Sequence, residues 1–211
     1  MPARCGDDCY SIAAESPAAA QALAAALRAS GQWLEVVPGI ASVLVRYDAA
    51  RMDGDAAEAA IADALARKPA PLEPSQALLE IPVVYGGEHG PDLDELSATT
   101  GLTSEEIVAL HAGREYPVEM LGFTPGFAFI GGLDERLRVP RRETPRQHVA
   151  AGSIGIADGR TGIYAMASPG GWTLIGRTPT RLFDPHASEP FLLEPGMRVR
   201  FRAIAASEFR A

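Results

Sequence analysis

The sequence predicts an α+β protein in two parts, a small split-βαβ unit followed by an all-β barrel. Three observations carry this. The first eighty residues alternate short β-rich runs with two alanine-rich helical stretches. A proline-rich break, "RKPAPLEPSQ" (67–76), then interrupts the pattern. From Tyr116 onward, short β runs recur between Gly and Pro turns, the texture of a closed or nearly closed barrel.

In the first part, "CYSIAAES" is a strand candidate. Ser16 offers an N-cap and Pro17 a first helical position, so "PAAAQALAAALRAS" reads as a helix ending at Gly31. "WLEVVPGIASVLVRYD" gives two strands about Pro38-Gly39. "MDGDAAEAAIADALARK" is a second helix, with Ala57, Ile61, Ala64 and Leu65 on one side and a stop before Pro69. "ALLEIPVVY" is the expected fourth strand of this sheet. The linker sets the expected domains at 1–76 and 77–211.

Two short helices follow. "PDLDELSATTG" closes at Gly101, and "TSEEIVALHAG" carries a Thr103-x-x-Glu106 capping box and stops at Gly113. The barrel strands are then "YPVEMLGF", "GFAFIGGL", "SIGIADG", "TGIYAMA", "WTLIG" and "MRVRF".

Composition narrows the function. Of 211 residues, 47% are apolar, enough for a real core, and no run of about 18 uncharged apolar residues is present to span a membrane. The N-terminus has no basic region followed by an apolar stretch, so a cytoplasmic protein without a secretory signal is expected. A net charge of −8 disfavours a nucleic-acid partner. Yet residues 134–202 hold eleven Arg against seven acidic residues, a bias that suits planar recognition of carboxylate or phosphate and equally suits an Arg-preferring coding bias. Cys5 and Cys9 lack the Cys-x-x-Cys spacing and further ligands, so they read as two unpaired thiols in a flexible start. No metal is implied.

"GGWTLIGRT" approaches a phosphate-binding loop, with Arg177 in place of Lys. A working loop needs a helix after it, and Pro179 and Pro185 bracket a stretch with no helical period. A strand leaving through an Arg-bearing turn fits better. "AGSIG" lacks the first Gly and the following helix of a nucleophile elbow at Ser153. His89, His111, His148 and His186 show no metal-ligand spacing.

The stretch "MLGFTPGFAFIGGLDERLRVPRRETPRQHVAAGSIGIADGRTGIYAMASPGGWTLIGRTPTRLFDP" resembles the family of the 5-oxoprolinase B subunit, also described as allophanate hydrolase subunit 1, as the sporulation-kinase inhibitor family and as carboxyltransferase subdomains C and D. The resemblance implies a cyclophilin-like β-barrel as the second domain. It implies ATP-dependent opening of 5-oxoproline to L-glutamate by a complex that also holds an A and a C subunit, the C subunit being built on a related barrel. The ATP would be used by the complex, not bound through a phosphate loop here, and the isolated chain would be inactive, with an exposed apolar patch at the partner contact. Alternatives are an allophanate hydrolase or urea-carboxylase-type carboxyltransferase subunit, and a non-enzymatic inhibitor of a histidine kinase.

The substrate-binding positions carried over are His111 at a pocket rim, and Phe123, Pro125, Gly126 and Phe127 as an apolar ledge. Arg146 and Arg177 are the anion-binding candidates, with ion pairs to Asp184 or Glu143 as the structural alternative. Ser153, Thr161, Tyr164, Ser168 and Trp172 would add hydroxyls and a flat wall. Phe129 stands where the family has Tyr, Arg160 where it has Gln, and Ala150 and Ala165 replace prolines. Phe129 and Arg160 are expected to flank the site. No catalytic residue is singled out.

Overall fold

The computed structural model describes residues 2–67, 69 and 78–210, so most of the expected linker lies outside the described residues. The chain divides into two compact units, residues 1–74 and 75–211.

In the N-terminal unit, β1 (Ala3–Arg4), β2 (Cys9–Ala13), β3 (Glu35–Pro38) and β4 (Ser42–Arg46) form one antiparallel sheet in the order β1-β2-β4-β3. Between β2 and β3 runs α1 (Pro17–Ala29), and β4 inserts between those two strands, which makes the βαβ split. Ser16 caps α1, its hydroxyl accepting from the Ala19 amide at 3.1 Å. The helix buries Ala20, Leu23, Ala24 and Leu27, an i, i+3, i+4, i+7 stripe, over Ile12, Val36, Val43 and Val45. The second helix, α2 (Gly54–Ala66), is capped by Asp53 and adds Ala57 and Ile61 to the same core. The expected fourth strand, "ALLEIPVVY", does not belong here; the two-residue edge strand β1 takes that place.

That segment is instead β5 (Leu78–Tyr85) of the barrel. Its Ile81 and Val83 are fully buried there, and it runs parallel to β13 (Arg198–Ala203). The other barrel strands are β6 (Glu115–Leu121), β7 (Ala128–Ile130), β9 (Ser153–Ala157), β10 (Arg160–Ile163) and β12 (Thr173–Arg177). They close in the order β10-β7-β6-β13-β5-β12-β9, with β9 paired back to β10. Period-two burial points Tyr116 and Val118 of β6, and Val199 and Phe201 of β13, into a core shared with Ile130, Ile154, Ile156, Ile163 and Ile175. A separate ribbon, β8 (Arg146–Val149) with β11 (Ser168–Gly170), lies beside the barrel.

Two helices follow β5: α3 (Leu93–Thr100), ended by Gly101 at φ 73°, and α4 (Ser104–Ala112). The α4 capping box is complete. Thr103 Oγ1 accepts from the Glu106 amide at 3.2 Å, and the Thr103 amide donates to Glu106 Oε2 at 2.8 Å.

Asp92, at the N-terminus of α3, makes no capping bond of that kind. Its carboxylate is buried and turned onto β12, where Oδ2 accepts from the Leu174 amide at 2.7 Å. Its own amide donates to the Leu174 carbonyl at 3.0 Å. Strand β5 pairs with β12 only at Gly176 and Arg177, so Asp92 supplies the hydrogen bonds that Leu174 would otherwise lack. Arg146 of β8 closes the knot, with Nη2 donating to Asp92 Oδ1 at 2.5 Å. Asp92→Ala strands both the Leu174 amide and Arg146. It is expected to lower unfolding stability by about 3–5 kcal/mol, read by urea denaturation.

Candidate functional site

The near-phosphate-loop resolves into a strand and its exit. Arg177 is the last residue of β12, and the chain leaves through Thr178-Pro179 with no helix. Its Nε donates to the Ala151 carbonyl at 2.8 Å, and its guanidinium lies 5.4 Å from the centre of the Phe209 ring. Among the described residues Arg177 makes no ion pair. It opens onto a groove of about 460 Å³ walled by Met166, Thr178, Thr180, Phe183 and Phe209.

Close backbone approaches shape this groove. Gly152 has φ 82°, and a Cβ there would run into the Thr178 carbonyl. Gly126, at φ 75°, lets the "TPGF" turn press against Ala165 and Phe183 from behind the groove wall. Phe209 is itself held, its ring stacked on His89 at 4.4 Å. Phe123 stands 66% exposed at φ 71°, an unusual backbone for a bulky side chain, and sets its edge on Phe127. Pro125 is also exposed.

Arg146 is placed differently. Asp92 holds it, with Arg142 3.5 Å from the same carboxylate oxygen, while Arg146 Nη1 is buried without a hydrogen-bond partner. The partners expected for a structural arginine, Asp184 and Glu143, are not the ones used; Asp184 pairs with Arg181 at 3.1 Å.

His111 is not at a pocket rim. It is fully buried and stacked on Phe201 at 4.3 Å. Thr161 Oγ1 donates to the Gly155 carbonyl at 3.2 Å, so it accepts from His111 Nε2 at 2.9 Å, and Nδ1 is left to accept from the Tyr85 hydroxyl at 2.7 Å. Every polar side-chain atom of this trio has a partner, and no proton is left to exchange with a ligand. Burial lowers the imidazole pKa to about 3 and raises the Tyr85 phenol well above its usual range.

The aromatic positions form a third group. Phe127 meets Phe129, Tyr164 and Trp172 edge-on at 4.8, 4.9 and 5.6 Å. Phe129 is buried against Phe127 and Trp172. Arg141 lies over Trp172 at 5.9 Å. Arg160 donates to Glu119 at 2.7 Å. Ser153 is buried opposite Arg177 in the β9–β12 register, and Ser168 is buried with its hydroxyl unpartnered.

Thus, of the expected positions, Arg177 alone lines this groove; Ser153 is buried beside it in the barrel wall, and Gly126 packs behind Ala165 and Phe183. Arg146, Arg160, the His111–Thr161 pair and the aromatic group lie in other surroundings. Sequence reasoning missed Met166, Phe183 and Phe209: the first two lie within the family stretch but were not singled out, and Phe209 lies beyond it. No group of three or more His, Cys, Asp or Glu side chains is assembled among the described residues. No described helix is long and apolar enough to cross a membrane.

The architecture is that of the carboxyltransferase barrel. Over 99% of its length the chain matches 22% of the Kluyveromyces lactis urea carboxylase at a TM-score of 0.81 and 19% identity, a likeness of fold. It matches the crystal structure of TTHA0988 at a TM-score of 0.80 and 36% identity, over 93% of this chain and 40% of that one.

The chain belongs to the carboxyltransferase domain family, subdomain C and D, which it matches over residues 4–193. Relatives named as the B subunit of 5-oxoprolinase include a Bacillus subtilis protein, 39% identical over 189 residues, 85% of this chain and 79% of that protein. The one from Escherichia coli O157:H7 is 54% identical over 130 residues, 62% of this chain and 60% of that protein.

A prediction about pH follows from His111. Unfolded, the imidazole takes its proton near 6.5; folded, only near 3. The unfolded state therefore binds the extra proton between those values. The contribution of neutral His111 is fully present above pH 6.5 and is lost as pH falls toward 3, at up to about 1.4 kcal/mol per pH unit. His111→Gln should flatten that part of the stability–pH curve in urea melts between pH 7 and 4.

Proposed function

We propose that this chain is the B subunit of an ATP-dependent 5-oxoprolinase, and that the Arg177 groove receives the substrate. The observation that carries this is an arginine with no acidic partner among the described residues, at the mouth of an apolar groove, in a chain whose relatives bear that name. 5-Oxoproline presents a carboxylate and a compact lactam ring. A guanidinium fork matches the first and apolar walls suit the second.

In this reading the γ-phosphoryl group of ATP passes to the lactam oxygen, breaking its bond to ADP. Water adds to the activated carbon, the ring C–N bond opens as nitrogen takes a proton, and a second water hydrolyses the resulting acyl phosphate, releasing phosphate and leaving glutamate. Arg177 offers its charge either to the substrate carboxylate or to the oxygen on which negative charge develops. A soluble, cytoplasmic setting belongs to the same reading.

The chain would act only in a complex with the A and C subunits. The groove holds no described group fit to serve as general base, since His111 is closed off in the core. Phe123, Met166, Phe191 and Leu192 are exposed apolar residues of the barrel unit. Phe183 stacks on Phe191 at 5.2 Å and connects that set to the groove wall.

Co-purification of the three subunits is expected to yield glutamate from 5-oxoproline only with ATP present, while this chain alone hydrolyses none. A full complex that makes no glutamate, or ATP turnover by the isolated chain at enzymatic rates, would overturn the proposal.

A further inference from the structure

Cys5 and Cys9 are four positions apart, which argues against a pair when spacing alone is considered. The hairpin between β1 and β2 folds that interval back on itself. Ala3 pairs with Ser11 and Arg4 with Tyr10, and the Cys5 amide donates to the Cys9 carbonyl at 3.0 Å. The register therefore sets Cys5 directly across from Cys9. Residues joined in this way in an antiparallel pair hold their Cα atoms roughly 5.5 Å apart. That lies inside the roughly 4.4–6.8 Å span a disulfide bridges.

The faces agree as well. Tyr10 and Ile12 enter the core, so Cys9 and its cross-strand neighbour Cys5 stand together on the opposite side of the sheet. Gly6, at φ 94°, supplies the left-handed residue that the three-residue connection needs. Both thiols are free, Cys5 exposed and Cys9 half-buried with its Sγ 3.4 Å from Asp8 Oδ1.

We propose that Cys5 and Cys9 are a dithiol exchange site that takes small disulfides of the glutathione class and closes to a cross-strand disulfide. Exposed Cys5 reacts first. Its thiolate attacks one sulfur of the small disulfide, that S–S bond breaks, and one thiol leaves. The Cys9 thiolate then attacks the Cys5 sulfur, forming the bridge and releasing the second thiol. Two electrons pass from the protein to the small disulfide, and the protons of Cys5 and Cys9 end on the two departing thiols. Burial and the Asp8 hydrogen bond raise the Cys9 thiol, consistent with Cys9 as the second attacker. The bridge ties the two-residue edge strand β1 to β2, the weakest pairing of the sheet in length.

The test uses the full chain, oxidised glutathione, alkylation of remaining thiols and mass spectrometry of the tryptic peptide running from Cys5 to Arg28. The peptide should be unalkylated and about 2 Da lighter than its reduced form, on monomeric protein. In Cys9→Ser the same treatment should trap one glutathione on Cys5. Two alkyl groups or two glutathiones on the wild-type peptide, under conditions that modify the Cys9→Ser chain, would overturn the proposal. Disulfide formed only between chains would overturn it too.

Discussion

The barrel unit is organised around one buried carboxylate. Asp92 exchanges backbone and side-chain hydrogen bonds with Leu174 at the part of β12 that β5 does not reach, and it draws in Arg146 from the β8–β11 ribbon. A carboxylate removed from water is costly unless its lone pairs are used. Here a backbone amide and a guanidinium use them. The same pairing fixes where the N-terminus of α3 sits, which strand it covers and how the ribbon attaches.

That constraint separates two arginines that look alike in sequence. Arg146 neutralises Asp92 and is held by that role. Arg177, five residues after Trp172 and one strand end away, has a carbonyl and an aromatic face as neighbours. A cation partly desolvated by Phe209 and without an acidic partner is poised to take an anion, since a ligand carboxylate or phosphoryl oxygen would restore what burial removed. The Tyr85–His111–Thr161 trio shows the opposite arrangement, a polar network saturated by its own members.

Much of the architecture was legible because it rests on local rules. Ser16, Thr103 and Gly101 mark helix ends by side-chain or backbone chemistry that a sequence displays directly. Strand β1 was not legible, since two exposed residues carry no period. Strands β8 and β11 hide in "PRQHVA" and "ASPGG", whose Pro and Gly read as turns. "ALLEIPVVY" reads equally well as a strand of either sheet; only the parallel partner at Arg198–Ala203, more than a hundred residues away, decides. In the site, Arg177 was visible from its motif, while no motif singled out Asp92. Its burial depends on contacts with residues 146 and 174, which no local pattern reports.

The contrast between the two arginines is the account's central claim, and paired variants measure it most directly. Arg146→Ala should melt well below the wild type, because the buried Asp92 loses its hydrogen-bonded guanidinium and keeps only the more distant Arg142 at 3.5 Å. Arg177→Ala should melt within about 1 kcal/mol of the wild type, yet the 5-oxoprolinase complex proposed for this chain should lose turnover when it carries that variant, with Arg177→Lys a poor rescue. An Arg177→Ala chain that unfolds as readily as Arg146→Ala, or whose complex turns over at the wild-type rate, would contradict the account.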